Sequence, residues 1–351
     1  MALQELWFII LAVLFVGFFV LEGFDFGVGM LMEFFGRTDS AAAGDPEQHR
    51  RAALNTIGPI WDGNEVWIIT AGAAMFAAFP GMYATLFSGL YLPLLAILVG
   101  MIVRVCAIEW RGKIDDPQWR RWADIGIAMG SWLPAVLWGV AFASILRGLP
   151  VDAHHQIQLS AGDVLNPYSL LGGIATASLF AFHGAVFITL KTEGAVHDDA
   201  RHFATRLTVP VTVIVAAFGI WTQVAHGNDL TWIALGVAVV AQLSAVRLVW
   251  TRRADGWAFA ATAVVVAAVV ALLFSCLYPN LIPSTLNSAW SLTIHNASST
   301  PYTLKVMTWA ALLLTPLVIC YQGWTYWVFR QRISAEHIPA SIGLSRNGLP
   351  H

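Results

Sequence analysis

Between Glu65 and Arg104 the chain runs 38 residues, Val66 to Val103, without one charged side chain. A helix needs about 20 mostly apolar residues to cross a bilayer. This run therefore holds most of two passes, divided near "FPGM" at 79–82. Stretches of the same kind recur along the whole chain. They place spans near 6–32, 57–79, 83–108, 122–146, 166–190, 207–225, 230–250, 257–278 and 304–329, with breaks such as "HGND" at 226–229. No stretch alternates with period two, which excludes a β-barrel, and no clear internal repeat emerges. The expectation is an all-α polytopic membrane protein of nine spans, one integral-membrane domain over residues 1–351.

Composition agrees. Of 351 residues, 58% are hydrophobic and 11% charged, with a mean hydropathy of +0.67; a soluble domain carries about 25% charged residues. Sixteen Trp fit a chain with many membrane interfaces. A net charge of -2 argues against nucleic acid as a partner. Cys106, Cys276 and Cys320 each fall in an apolar segment with no CxxC pair, so they read as small core residues and imply neither a disulfide framework nor a zinc site. The opening "MALQELWFIILAVLFVGFFV" lacks a basic n-region and an AxA-like cleavage site, and reads as a retained first span.

Basic residues test the span map. Seventeen of the 19 Lys and Arg fall on one side: Arg37, Arg50, Arg51; Arg104, Arg111, Lys113, Arg120, Arg121; Lys191, Arg201, Arg206; Arg247, Arg252, Arg253; and Arg330, Arg332, Arg346. Only Arg147 and Lys305 fall on the other. The positive-inside rule then puts the N-terminus outside and the C-terminus in the cytoplasm. The uncharged segment 279–303, rich in Ser, Thr, Asn and Pro, is too polar to span; it is either an ordered extracytoplasmic cap or a plain loop.

Two acidic pairs carry the chemistry. Glu22 and Asp25 lie in "LEGFDFGVG", and Asp62 and Glu65 open the second span in "PIWDGNEVW". Spacing of i, i+3 puts both members of each pair on one helical face. A carboxylate at the centre of a span costs roughly 2.5–3.5 kcal/mol on the insertion scale, so such groups face a protein interior or a wet path. There they are suited to proton relay. The plainer alternative is that they flank the membrane and meet headgroups or loop arginines; Asp25 and Asp62, set among Phe, Trp and Gly, fit it least. Gly23, Gly27 and Gly29 form a small-residue face that lets a neighbouring helix approach. Pro59 either kinks the second span or begins it. Arg104 either snorkels to the interface or neutralises one of these acids. Of ten His, only His183 lies well within a span, which is too few for a bis-His heme site. No Walker motif, GxGxxG motif or Cys/His metal cluster occurs.

The segments "EGFDFGVGML", "NTIGPIWDGNEVWIITAGAAMFAAFP" and "PSTLNSAWSLTIHNASSTPYTLKVMTW" resemble subunit II of bacterial cytochrome bd quinol oxidases, strongly over 1–146 and 279–330 and less over 150–278. The resemblance implies two four-helix bundles plus one further helix, with no metal or heme in this chain. It implies a partner, subunit I, that binds two hemes b and one heme d and oxidises quinol, in a complex of the bacterial cell membrane. The complex reduces dioxygen to water with protons drawn from the cytoplasm. The resemblance also implies a proton-path role for Asp62, with Asp25, Glu22, Glu65 and Arg104 as members or supports, although relatives also carry Gln where Glu65 stands. Trp61 is the candidate neighbour of a quinone or heme. Family members can hold a structural quinone in subunit II, and a small accessory subunit is left open; no residue pattern here identifies either. Two other classes compete: a proton-coupled secondary transporter, against which the acids cluster on one side without paired interrupted spans, and a purely structural partner whose acids fix helix packing.

Overall fold

The computed structural model describes residues 2–35, 45–252, 254–338 and 343, so Arg37, Arg253 and Arg346 of the charge map lie outside the described residues. The helices are α1 (Leu3–Leu31), α2 (Pro46–Asn55), α3 (Trp61–Ala78), α4 (Pro80–Gly89), α5 (Tyr91–Trp110), α6 (Pro117–Arg147), α7 (Ala161–Val164), α8 (Pro167–Lys191), α9 (Gly194–His226), α10 (Thr231–Thr251), α11 (Asp255–Leu277) and α12 (Pro301–Val328). Eight of the described helices are long and apolar enough to cross a bilayer, and the bent pair α3–α4 counts as a ninth when taken as one span.

Most sequence boundaries hold within a few residues, but the second and third spans are corrected. The break at 79–82 is one residue wide. Phe79 has φ −130 and ψ 64, and Pro80 starts α4 at an angle of 119° to α3. The ring of Pro80 disfavours helical geometry at Phe79, while its missing N–H does no harm in a first turn. The third crossing helix therefore begins at Tyr91, not at 83. Pro59 likewise precedes α3 and does not kink it. Helices α6 and α9 extend beyond the expected 122–146 and 207–225 by including polar turns.

Helices α1, α3, α5 and α6 form one four-helix group and α8 to α11 a second, while α12 lies along α1 and α3. Helix α1 is the hub, packing on α3, α6, α8 and α11. Its GxxxG face lies against α8: a Cβ on Gly27 would stand 2.1 Å from the Phe180 carbonyl oxygen, and one on Gly184 would stand 2.5 Å from Gly27. A core of edge-on aromatic rings surrounds this contact, with Phe15 5.0 Å from Phe142 and Phe18 5.6 Å from Trp138. Cys106 and Cys320 are exposed and Cys276 half-buried, which corrects the reading of all three as core residues. In a membrane helix an outward face is as apolar as the core, so hydropathy does not separate the two.

The two ends of the bundle differ. At one, segment 279–303 is an ordered cap built on a two-stranded ribbon, β1 (Asn280–Ile282) and β2 (Leu292–Thr293). It closes the α3–α4 corner: Ser299 donates to the carbonyls of Ala77 (2.6 Å) and Ala78 (2.9 Å), and Gly81 N–H reaches Ala297. These bonds satisfy groups that helix ends leave unpaired. At the opposite, basic end, Arg111 donates to Glu47 (2.6 and 2.9 Å) and Asp124 (2.5 Å), pinning α2 to the α5–α6 turn. Burial opposes ionisation of Glu47, but hydrogen bonds and charge from Arg111, with Arg120 and Arg50, outweigh it and hold the carboxyl below its ordinary range. The segment after α12 crosses this end, pairing Ile333 with Lys191 and Glu193 and placing Arg332 2.8 Å from Asp255.

Candidate functional site

Four helices converge on one charged cluster inside the first group. On α1, Glu22 and Asp25 are fully buried, one turn apart. On α5, Arg104 is equally buried, six residues or about 9 Å from the helix end at Trp110. Its Nη2 pairs with Glu22 and, at 2.9 Å, with Glu65 of α3. The guanidinium carbon lies 4.5 Å from the centre of the Phe26 ring. Gly130 of α6 allows this arrangement, since a Cβ there would stand 2.7 Å from that of Arg104. Of the two fates open to Arg104, neutralisation of acids is the one realised.

Asp25 is held differently. The Nδ2 of Asn64 donates to its Oδ2 at 2.7 Å, and the Oδ1 of Asn64 accepts from the Tyr326 hydroxyl at 2.7 Å. On the same face of α12, Gln322 accepts from Trp67 Nε1 at 2.8 Å. Asn64, Tyr326, Gln322 and Trp67 were not among the residues singled out by sequence. The available signal was Asn64 itself, an amide between two acids in an apolar helix, which needs partners once buried.

Asp62 is not in the cluster. It is exposed, whereas Asn64 is fully buried, because two residues turn a helix by about 200°. Within this chain it lies in the first turn of α3, on the outward face shared with Val66 and Ile69. Glu65 sits at the flank, its side chain 18% exposed, and reaches inward. Trp61, half-buried, begins the helix.

Two carboxyl groups, Glu22 and Glu65, thus share one guanidinium with Asp25 close by on Asn64. Among the described residues Glu22 Oε2 and Asp25 Oδ1, like Arg104 Nε and Nη1, have no hydrogen-bond partner. Such a cluster holds more carboxyl groups than a closed ion pair needs. Glu65 is also the one charged side chain in the wall of a cavity of about 780 Å³ between α3 and α5, otherwise lined by groups such as Ile68, Phe76, Tyr83, Leu94 and Met101. Trp61 lies outside that wall. His183 is a packing residue: its Nε2 donates to Val20 O (3.0 Å) and its Nδ1 pairs with Thr262 Oγ1 (2.7 Å), tying α8 to α1 and α11. No group of three or more His, Cys, Asp or Glu suited to a metal occurs among the described residues.

Apolar crossing helices around an acid-rich, arginine-anchored cluster define a polytopic membrane protein with ionisable groups in its interior. Comparison with known proteins makes this specific. The profile of cytochrome bd terminal oxidase subunit II matches residues 3–329, and the chain belongs to that family. It is 43% identical over 339 residues to cytochrome bd ubiquinol oxidase subunit 2 of Bacillus subtilis, covering 95% of this chain and 97% of that one. It is 32% identical to cytochrome bd-I ubiquinol oxidase subunit 2 of Escherichia coli K12, covering 96% of each. Its fold matches a chain in the structure of bd oxidase from Geobacillus thermodenitrificans with a TM-score of 0.76 at 17% identity, covering 94% of this chain and 99% of that one.

Proposed function

We propose that this chain is the heme-free subunit II of a quinol:dioxygen oxidoreductase in the bacterial cell membrane, and that it supplies part of the path bringing protons to the oxygen-reducing heme. Family membership supports the oxidase, with subunit I as partner and quinol and dioxygen as substrates. The observation that supports the proton path is the buried cluster in which Glu22 and Glu65 share Arg104 while Asp25, one turn from Glu22, is held by Asn64. An ion pair serving packing alone needs one acid per cation. The surplus acids here lie about 9 Å inside the basic end, which the positive-inside rule assigns to the cytoplasm.

Asp62 has a distinct place in this reading. A carboxylate on the outward face of a membrane helix does not rest against acyl chains, so it meets headgroups or a protein partner. As the acid facing subunit I, Asp62 hands protons between that surface and the chain's own cluster, with Glu65 one turn further along α3. In this reading the two hemes b and heme d belong to subunit I, which the engagement of both ring nitrogens of His183 supports. The cavity between α3 and α5 fits the isoprenoid part of a quinone, held by residues such as Phe76 and Tyr83; a bound quinone there fills space between the helices.

Oxygen uptake by purified complex, normalised to heme d, tests the reading. Asp25→Asn and Asp62→Asn keep size and hydrogen bonding but do not titrate. Each is expected to lower turnover steeply, within the ~10²–10⁴-fold range of a general acid/base, with hemes retained. Normal turnover in both overturns the proton path and leaves the acids a structural role. His183→Ala is expected to leave the b and d absorbance bands intact.

A further inference from the structure

Helix α12 is the least embedded of the crossing helices: Leu304 is its one buried residue, and the helices it touches substantially are α1 and α3. Even so, one turn of it reaches the centre of the site. Gln322 and Tyr326, spaced i and i+4, both face residues 63–67 of α3. The Tyr326 hydroxyl donates to Asn64 Oδ1 at 2.7 Å, and Asn64 Nδ2 donates to Asp25 Oδ2 at 2.7 Å.

A carboxamide has an acceptor end and a donor end, and rotation about its last torsion exchanges them. Packing alone barely distinguishes the two orientations, because oxygen and NH₂ are similar in size. The donors gathered at Oδ1 distinguish them. The Gln322 NH₂, which cannot accept, lies 3.5 Å away, and with it in place the Tyr326 hydroxyl donates at 2.7 Å. This leaves the Asn64 NH₂ group facing Asp25. Gln322 is set in the same sense: Trp67 N–H occupies its oxygen, which turns its NH₂ toward Gly63 O (3.4 Å) and Asn64 Oδ1 (3.5 Å). The bonds form a directed chain from the final helix to the buried acid.

We propose that Tyr326 is a positioning residue for the oxidase reaction: acting through Asn64, its hydroxyl fixes the donor that orients the Asp25 carboxyl for proton exchange. The inference rests on the proton-path reading above and adds a residue from α12 to it. Tyr326 moves no proton itself; it prevents the Asn64 amide from turning over.

The test uses purified complex bearing Tyr326→Phe, Asn64→Ala, the double variant and Asp25→Asn, with oxygen uptake per heme d, the quinol KM and the solvent isotope effect as readouts. Tyr326→Phe is expected to lower kcat about 10-fold, within the ~10²-fold that a 1 Å misplacement can cost. The quinol KM should stay unchanged and the solvent isotope effect should rise. The double variant should match Asn64→Ala alone, as coupling through one residue requires. Full kcat in Tyr326→Phe beside a deficient Asp25→Asn overturns the positioning role while the proton path stands. Losses that multiply in the double variant, or loss of heme d in Tyr326→Phe, overturn it as well. Full kcat in Asp25→Asn removes the underlying reading instead.

Discussion

Arg104 and Glu22 form an ion pair in which neither side chain has any exposed surface. It ties α5 to α1, and Glu65 brings α3 to the same guanidinium. Taking one member from such a pair leaves the other charge buried and uncompensated, at about 3–5 kcal/mol.

Arg104→Leu is therefore expected to lower the thermal midpoint of the complex markedly, followed by loss of heme d absorbance on heating. Adding Glu22→Gln removes the orphaned charge and should recover much of that loss. A double variant no more stable than Arg104→Leu would show that the guanidinium contributes through packing on Phe26 and not through charge.

Gly27 and Gly184 set the spacing between the two four-helix groups. Gly27→Ala puts a Cβ 2.1 Å from a backbone oxygen, which side-chain repacking does not relieve. The expected cost is about 1–3 kcal/mol or more, as for other overpacked cores. Yield of assembled complex per cell should fall. Gly63→Ala, whose Cβ meets nothing within 4 Å, serves as the control and should assemble normally.

Glu47 makes the basic end sensitive to acid. Its carboxyl is held below the ordinary value of 4.5 in the folded chain. A depressed pKa contributes stability that is fully present above the unfolded value and lost as pH falls through the folded one. Glu47→Gln should thus lower the thermal midpoint by a constant amount near neutral pH, and the gap from wild type should close below pH 4.5. A gap that persists undiminished in acid would rule out the charge on Glu47 as the source of stability.

Reporter fusions at Asp45, Gln118 and Asp199 should all report cytoplasm. His49 lies 3.9 Å from Asp199, and Asp45, Gln118 and Asp199 flank helices that meet at the basic end. An exported reporter at any of the three positions reverses the assignment of that end to the cytoplasm.

Hydropathy and charge in the chain determined that it crosses a membrane nine times, close to where each helix runs, and that acids occur in the first two crossings. Those conclusions follow from the cost of polar groups in hydrocarbon, which acts on each segment separately. Tertiary structure decided how each helix is rotated. Helix α3 is apolar on nearly every side, so it has no stripe to mark the face that turns inward, and i, i+3 spacing applied equally to both acid pairs. Contact with α1 and α12 turned Asn64 inward and Asp62 outward, placed Glu65 beside Arg104, and gave Tyr326 its part in the cluster. Within a bilayer, lipid and protein interior are equally apolar, and only the match of polar groups across helices separates one rotation from another.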